Sequence, residues 1–420
     1  MLAWLRSDFR RINTALEFDV LSDDARRELL SALLDGVTLL SRVPSEPATE
    51  DDVLALHLRA GMLHAACTRH GVAPDDVRLR PCVDWLLEAE RRWSLAPRFL
   101  ALPYLFLNSA EDGWPITFLR SEAERQFIAA NADGVAVYET AWTLTSRIRN
   151  LGLTNPAAPS MLTELGRVLE RLLHVHRGLQ AVLDHDAYFQ HVRHYYEAVT
   201  VDGRVLAGVN AGDQAWSMAL DLALGLAQPH AEYKAYVRSR LPYMPPSHRD
   251  LVRQELAQSG WLDEMYRAAS TVPWGHALAA AAVAVYDALV RATWAHVDLA
   301  VAFVDRGRGT SGTEMRFLEE TVRMRRDHPG IARLRALTAG RGEPHHERAE
   351  HGTGSERQER QAGVQHRAIH PLARQRDQQL HDAPAECRAI RDAHDRLLVG
   401  RLVHVAEVEV IDRRCRHRVD

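Results

Sequence analysis

Apolar residues recur every three or four positions through most of the first 340 residues, as they do on one face of an α-helix. Several of these stretches follow a serine or threonine that has an acidic side chain three residues later, a pattern typical of helix N-termini. Thr49 with Asp52 and Ser121 with Glu124 are two such pairs. Helices are predicted over residues 22–41, from Thr49 onward, and over 83–95, 121–150 and 160–183.

One stretch, residues 199–206, has the character of strands, and its Asp202-Gly203 dipeptide is a strong hairpin-turn signal. Prolines and glycines interrupt the helical pattern shortly before residue 116. The sequence therefore predicts an all-α fold with one small hairpin. We expect a smaller helical N-terminal domain over residues 1–115 and a larger helical domain over residues 116–340.

The composition changes from about residue 341, and residues 341–420 are rich in Arg, His, Gln and Glu but poor in large apolar side chains. Such a tail cannot bury a core, so disorder is predicted. Translation of GC-rich DNA in a wrong reading frame would give a similar amino-acid composition, and this alternative stays open. The histidines of the tail lack the regular spacing of metal ligands.

The overall charge and the cysteines exclude several classes of protein. The 52 basic and 56 acidic residues give a net charge of −4, which argues against a nucleic-acid partner. Four cysteines without paired spacing argue against a disulfide framework or a zinc site. The N-terminal apolar run is too short for a signal peptide, and charged residues interrupt the Ala-rich stretch 277–304. A cytoplasmic protein without a membrane partner is therefore expected.

The Ala-rich stretch contains a histidine in an apolar setting. His296 shares a helix face with Ala292 and Leu299. Small side chains beside an imidazole leave room for a flat group, and a neutral imidazole is a common ligand of haem iron. A core histidine bonded to a backbone carbonyl would show the same spacing, so the pattern alone leaves both interpretations open.

A second candidate site lies in residues 186–196, DAYFQHVRHYY, where Phe189, Arg193 and Tyr196 share a helix face. The planar fork of an arginine binds a carboxylate through two parallel hydrogen bonds. An arginine that lies along the surface among aromatic side chains gives the same pattern.

Two histidine pairs carry weaker signals. His191 and His194 have the spacing of a metal-binding pair, but no third ligand is evident. His174 and His176 point to opposite faces of a helix, and we expect no role for either.

Four blocks of the sequence together resemble the indoleamine 2,3-dioxygenase family. In chain order they are AYFQHVRHYY, LAGVNAGDQAWSMALDLALGL, RLPYMPPSHR, and VYDALVRATWAHVDLAVAFV followed by GTSGTEMRFLEETVR. That family belongs to a haem superfamily with tryptophan 2,3-dioxygenase and monodechloroaminopyrrolnitrin synthase. The resemblance covers residues 120–340, and residues 55–115 are more weakly similar to the N-terminal part of monodechloroaminopyrrolnitrin synthase.

The resemblance implies a haem b cofactor with His296 as the proximal ligand of its iron. It implies that Arg193 binds the carboxylate of an aromatic amino acid or indole derivative. The other positions that it places beside the substrate are Tyr188, Phe189, Asn210 and Thr310. The positions that it places beside the haem are Val209, Ala211 and Gly212.

The implied activity is that of an oxidoreductase, which inserts both atoms of dioxygen into the indole C2=C3 bond of L-tryptophan or an indole derivative and gives N-formylkynurenine. An oxygenase of secondary metabolism that acts on a modified tryptophan, as monodechloroaminopyrrolnitrin synthase does, is the first alternative. A helical scaffold that has lost haem, with His296 only packed, is the second.

Four positions depart from the relatives. Ser311 replaces a glycine of the turn, and Asn210 replaces a serine of the mammalian-type enzymes. Thr293 stands where those enzymes have an arginine directed toward a haem propionate. Val304 stands where monodechloroaminopyrrolnitrin synthase has an active-site tyrosine, which argues against the reaction of that enzyme because the tyrosine hydroxyl is missing.

Overall fold

The structure, a computed structural model, describes residues 2–42, 49–106, 108, 115–228, 230–302 and 315–339. Regular structure in these ranges is helical except for one two-stranded hairpin, which confirms the predicted all-α class. The expectations for Val304, Thr310, Ser311 and the tail fall outside the described residues.

The α-helices of the described ranges are Leu2–Trp4 (α1), Arg10–Phe18 (α2), Asp23–Thr38 (α3), Glu50–Arg69 (α4), Arg80–Trp93 (α5), Ala101–Phe106 (α6), Glu122–Leu151 (α7), Ala158–Val182 (α8), His185–Ala187 (α9), Ala215–Ala223 (α10), Ala231–Arg240 (α11), Pro246–Leu256 (α12), Leu262–Thr271 (α13), Gly275–Ala302 (α14), Met315–Arg326 (α15) and Pro329–Ala339 (α16). Turns of π-helix span Leu5–Phe9 and Tyr188–Val192, and 3-10 turns span Leu39–Arg42, Val77–Leu79, Arg193–Tyr196 and Leu241–Tyr243. The strands are Val199–Val201 (β1) and Arg204–Leu206 (β2).

Local signals explain where several elements begin. The capping box of Thr49 and Asp52 is present, with each side chain bonded to the other residue's backbone amide. The predicted box of Ser121 and Glu124 is wrong, because the Ser121 side chain makes no cap bond. Glu124 is fully buried and instead accepts hydrogen bonds, at 2.7 and 2.8 Å, from two backbone amides of the loop before α7.

The hairpin follows its turn signal. Val199 pairs with Leu206 in an antiparallel register. Asp202 and Gly203 both have positive φ, at 48° and 72°, which is the backbone of the tightest hairpin turn and suits this dipeptide. The hairpin prediction is confirmed.

The helix α8 packs against both α7 and α14. Leu165 and Leu169 of α8 and Val285 and Leu289 of α14 are at most 1% exposed in one apolar cluster. By length and composition alone, Gly275–Val301 would suffice to cross a membrane, and 56% of its most apolar window is buried inside this fold.

A second apolar cluster joins residues from both sides of position 115. It contains Leu5 and Phe9 near the N-terminus together with Tyr188, Val209 and Leu299. The described residues fall within one compact unit of the chain, residues 1–345. The domain boundary near residue 115 stays a prediction.

Buried hydrogen bonds connect α2 to the segment around Tyr195. The Asn13 amide donates to the Tyr195 hydroxyl at 2.9 Å, and its oxygen accepts from His70 at 2.6 Å. Glu17, one turn further along α2, forms an ion pair with Arg69 at 2.6 Å. Because Asn13, His70 and Tyr195 are buried, each hydrogen bond among them offsets the cost of removing its partners from water.

Candidate functional site

A cavity of about 200 Å³ lies among α6, α7, α8, α10, α11, α14 and α15. Apolar and aromatic side chains such as Phe127, Tyr188 and Leu299 make up much of its wall. Ligand pockets typically measure roughly 300–1,000 Å³. The enclosed space of this cavity is therefore smaller than that of a typical ligand pocket.

His296 projects from α14 into this cavity and is half-buried as a result. Burial lowers the pKa of the imidazole to about 3, with smaller contributions from His176 and Arg325, so the ring is neutral at neutral pH. No hydrogen bond contributes to that shift. A neutral imidazole that faces a cavity and makes no hydrogen bond to the described residues fits an iron ligand, because binding requires a free nitrogen lone pair.

His176 of α8, for which the sequence indicated no role, lies beside His296. The two ring centroids are 5.1 Å apart and the ring planes differ by 26°. The Nδ1 atom of His176 donates to the carbonyl oxygen of Ala292 at 3.0 Å. Burial lowers the pKa of His176 to about 4. Helical spacing alone does not indicate that His176 lies at a site. The reason is that α8 packs against two neighbouring helices and therefore has more than one buried face.

A buried ion pair forms the charged part of the cavity wall. The Arg325 guanidinium contacts both carboxylate oxygens of Asp221 and also donates to the Thr293 hydroxyl. Tyr233 donates to the same carboxylate at 2.6 Å. Burial alone would lower the pKa of Arg325, but Asp221 raises it above its ordinary value, so the guanidinium stays charged. Arg325 is not among the site residues predicted from the sequence.

Several of the residues predicted to lie beside the substrate or the haem line the cavity. Tyr188 and the loop residues Val209, Asn210, Ala211 and Gly212 line it together with His296. These positions are far apart in the sequence, and the fold brings them to one cavity. Thr310 lies outside the described residues.

Arg193 and Phe189 do not line the cavity. The Arg193 guanidinium lies 5.1 Å from the centroid of the Phe189 ring and donates to Glu197 at 3.1 Å. The two side chains therefore share a helix face as predicted. The Arg193 side chain is 13% exposed, and its Nε has no hydrogen-bond partner among the described residues. The role of Arg193 as a carboxylate clamp stays a prediction.

The Asn210 side-chain amide forms hydrogen bonds within the protein. Its oxygen accepts from the Gly212 amide at 2.8 Å, and its nitrogen lies 3.4 Å from the Tyr236 hydroxyl. Both atoms of the amide therefore have partners within the protein. Asn210 thus fixes the shape of the loop that lines the cavity.

A buried acid lies behind the aromatic part of the wall. Tyr104 lines the cavity and donates its hydroxyl to Glu124 of α7. Burial raises the pKa of Glu124 to about 7, although its hydrogen bonds act in the opposite direction. This carboxyl therefore changes its protonation near neutral pH.

The histidine pair of residues 186–196 forms no metal centre in the described part of the chain. His191 contacts Glu17 at 3.2 Å, and His194 lies 3.6 Å from Glu197. Within those ranges no group of three or more His, Cys, Asp or Glu side chains is suited to hold a metal ion. Each of these two histidines therefore lies beside a carboxylate.

An all-α fold with a neutral histidine in an aromatic cavity is the architecture expected of the haem oxidoreductases to which the sequence is similar. The chain belongs to the monodechloroaminopyrrolnitrin synthase PrnB family, whose model matches residues 1–289. That family is part of the haem superfamily of the indoleamine and tryptophan 2,3-dioxygenases. No curated protein matches the chain. The match ends before His296, so the family model does not cover this residue.

Proposed function

We propose that the chain is a haem-dependent oxidoreductase that uses dioxygen to modify tryptophan or a substituted tryptophan. The observation that carries the proposal is the neutral His296 imidazole, which faces an aromatic cavity in a member of a haem enzyme family. His296 would hold the iron of haem b, and the loop from Val209 to Gly212 would lie beside the cofactor and the substrate.

The protein supplies orientation and a dry pocket, whereas bound haem supplies the oxygen chemistry. Tyr188 and Phe127 provide flat apolar surfaces in the cavity, which suit an indole ring. Arg193 would bind the substrate carboxylate through its planar fork, after a movement that brings it to the cavity.

The first candidate reaction is insertion of both oxygen atoms into the C2=C3 bond of L-tryptophan to give N-formylkynurenine. The sequence blocks that resemble indoleamine 2,3-dioxygenase support it. The second candidate is oxidation of a ring-substituted tryptophan in secondary metabolism. The family match over residues 1–289 favours this second reaction.

Labelled dioxygen distinguishes the candidates. The full chain is purified, loaded with haem, reduced, and incubated separately with L-tryptophan and with ring-substituted tryptophans, and the products are analysed by mass spectrometry. N-formylkynurenine with two labelled oxygen atoms would support the first candidate. Conversion of the substituted substrates alone would support the second. Failure of the protein to give a Soret band would overturn both and favour a scaffold without haem.

A further inference from the structure

His176 is fixed by the helix that carries His296. The acceptor of its Nδ1–H, the Ala292 carbonyl, lies one helical turn before His296. In an α-helix that same carbonyl accepts the backbone amide of His296. Since a carbonyl oxygen only accepts, Nδ1 of His176 carries the proton and Nε2 carries the lone pair. The position of the His176 ring is therefore tied to the local backbone of α14.

The distance between the His176 and His296 rings indicates whether a flat macrocycle such as haem could lie between them. A flat group needs about 3.5 Å to the atoms on each of its faces, or roughly 7 Å between two flanking rings. The His176 and His296 centroids are only 5.1 Å apart. No flat group fits between them, so His176 lies beside His296 and not across a macrocycle from it.

We propose that His176 is a positioning residue for His296, which holds the ligand imidazole in its orientation toward the cavity. The inference rests on the proposed role of His296 as the iron ligand. The His176 ring covers one face of the His296 ring and restricts its rotation, while the Ala292 bond keeps His176 in place. Groups outside the first coordination shell orient ligand histidines in this way, and their loss typically weakens metal binding about 10–100-fold.

Three variants of the full chain separate the two contacts. His176→Ala removes both, His176→Phe keeps an aromatic ring against His296 but loses the bond to Ala292, and His174→Ala is the matched control. His174 is exposed two positions away on the same helix. Each protein is loaded with haem, and two quantities are measured: the rate of haem dissociation and the iron–histidine stretching band of the ferrous protein.

We expect haem to dissociate about ten-fold faster or more from His176→Ala, with a shifted or broadened iron–histidine band. His176→Phe should fall between His176→Ala and the native chain, and His174→Ala should match the native chain. An unchanged band in His176→Ala, with dissociation within two-fold of the native rate, would overturn the proposal. A lower melting temperature alone would also overturn it, because that result describes a merely structural residue.

A measurement without haem separates failure of this proposal from failure of the haem function. In the haem-free chain with isotopically labelled histidine, the ring signals of His296 should shift in His176→Ala and stay unchanged in His174→Ala. Unchanged His296 signals in His176→Ala would overturn the ring contact. Absence of haem binding by the native chain would instead overturn the proposed function.

Discussion

Arg325 of α15 and Asp221 of α10 form a two-point ion pair in the cavity wall, with Nε–Oδ1 and Nη2–Oδ2 distances of 3.2 and 2.7 Å. Both side chains are less than 10% exposed. Removal of one member leaves a buried charge without its partner. Asp221→Asn is expected to lower the free energy of unfolding by about 3–5 kcal/mol, measured by urea denaturation.

An exposed ion pair provides the control for this experiment. Arg291 and Glu170 connect α14 to α8, and their side chains are 50% and 42% exposed. Glu170→Gln should change the free energy of unfolding by less than about 1 kcal/mol, because water screens the pair. Equal effects of the two substitutions would show that Asp221 is not the electrostatic partner on which Arg325 depends.

His296→Ala should greatly weaken haem binding, because it removes the proposed iron ligand. The structure adds a second imidazole, since the His176 ring lies 5.1 Å from His296. Residual binding is therefore expected in the single variant, and complete loss in the double variant His176→Ala/His296→Ala. Haem titration followed at the Soret band measures both, and native affinity with a native spectrum in His296→Ala would refute the assignment.

The raised pKa of Glu124 predicts that the stability of the folded protein depends on pH. Burial raises its pKa from 4.5 to about 7, so the folded chain binds this proton more tightly than the unfolded chain does. The stabilisation is complete below about pH 4.5 and is lost as the pH rises through about 7. A shift of this size corresponds to about 3 kcal/mol.

Denaturation at pH 5 and pH 8 tests the Glu124 prediction. The loss of stability between these two pH values should be smaller in Glu124→Gln, which cannot ionise there. Glu122→Gln is the control, because the pKa of Glu122 is lowered by its bond to Arg125 and it does not titrate in this range. An equal pH dependence in Glu124→Gln and the native chain would contradict the assignment.

Arg193→Lys tests the proposed carboxylate clamp. Lysine keeps the charge but loses the two-point geometry, so L-tryptophan should bind about ten-fold or more weakly. Tryptamine, which has no carboxylate, should bind both forms equally. Arg204→Lys, in an exposed pair with Glu90 on the nearby hairpin, is the control. If the native chain binds tryptophan and tryptamine equally tightly, the clamp is wrong.

Local patterns predicted most of the fold. The helix expected over 121–150 is observed as Glu122–Leu151, and the hairpin of Asp202-Gly203 forms as expected. These elements depend on spacing and turn chemistry within a few residues. The helices near the N-terminus, such as Arg10–Phe18, were not predicted, although their apolar side chains are deeply buried.

The site was predicted less completely, because its contacts join distant parts of the chain. His176 is bonded to Ala292, which lies 116 positions away, and Arg325 is bonded to Asp221 across 104 positions. Helical spacing identifies which residues share a face but not which helix covers that face. The resemblance to a family identified His296 and the loop from Val209 to Gly212 because it carries information about the whole fold.

The hydrogen bond between Asn13 and Tyr195 spans 182 positions and has a consequence for biosynthesis. A ribosome that adds about 5–20 residues per second needs about 9–36 s to proceed from one residue to the other. During that interval the apolar side chains of Leu5 and Phe9 lack their later partners in the cluster with Tyr188. The apolar cluster around the first helices of the nascent chain therefore forms late. During this interval chaperones are most needed to prevent aggregation.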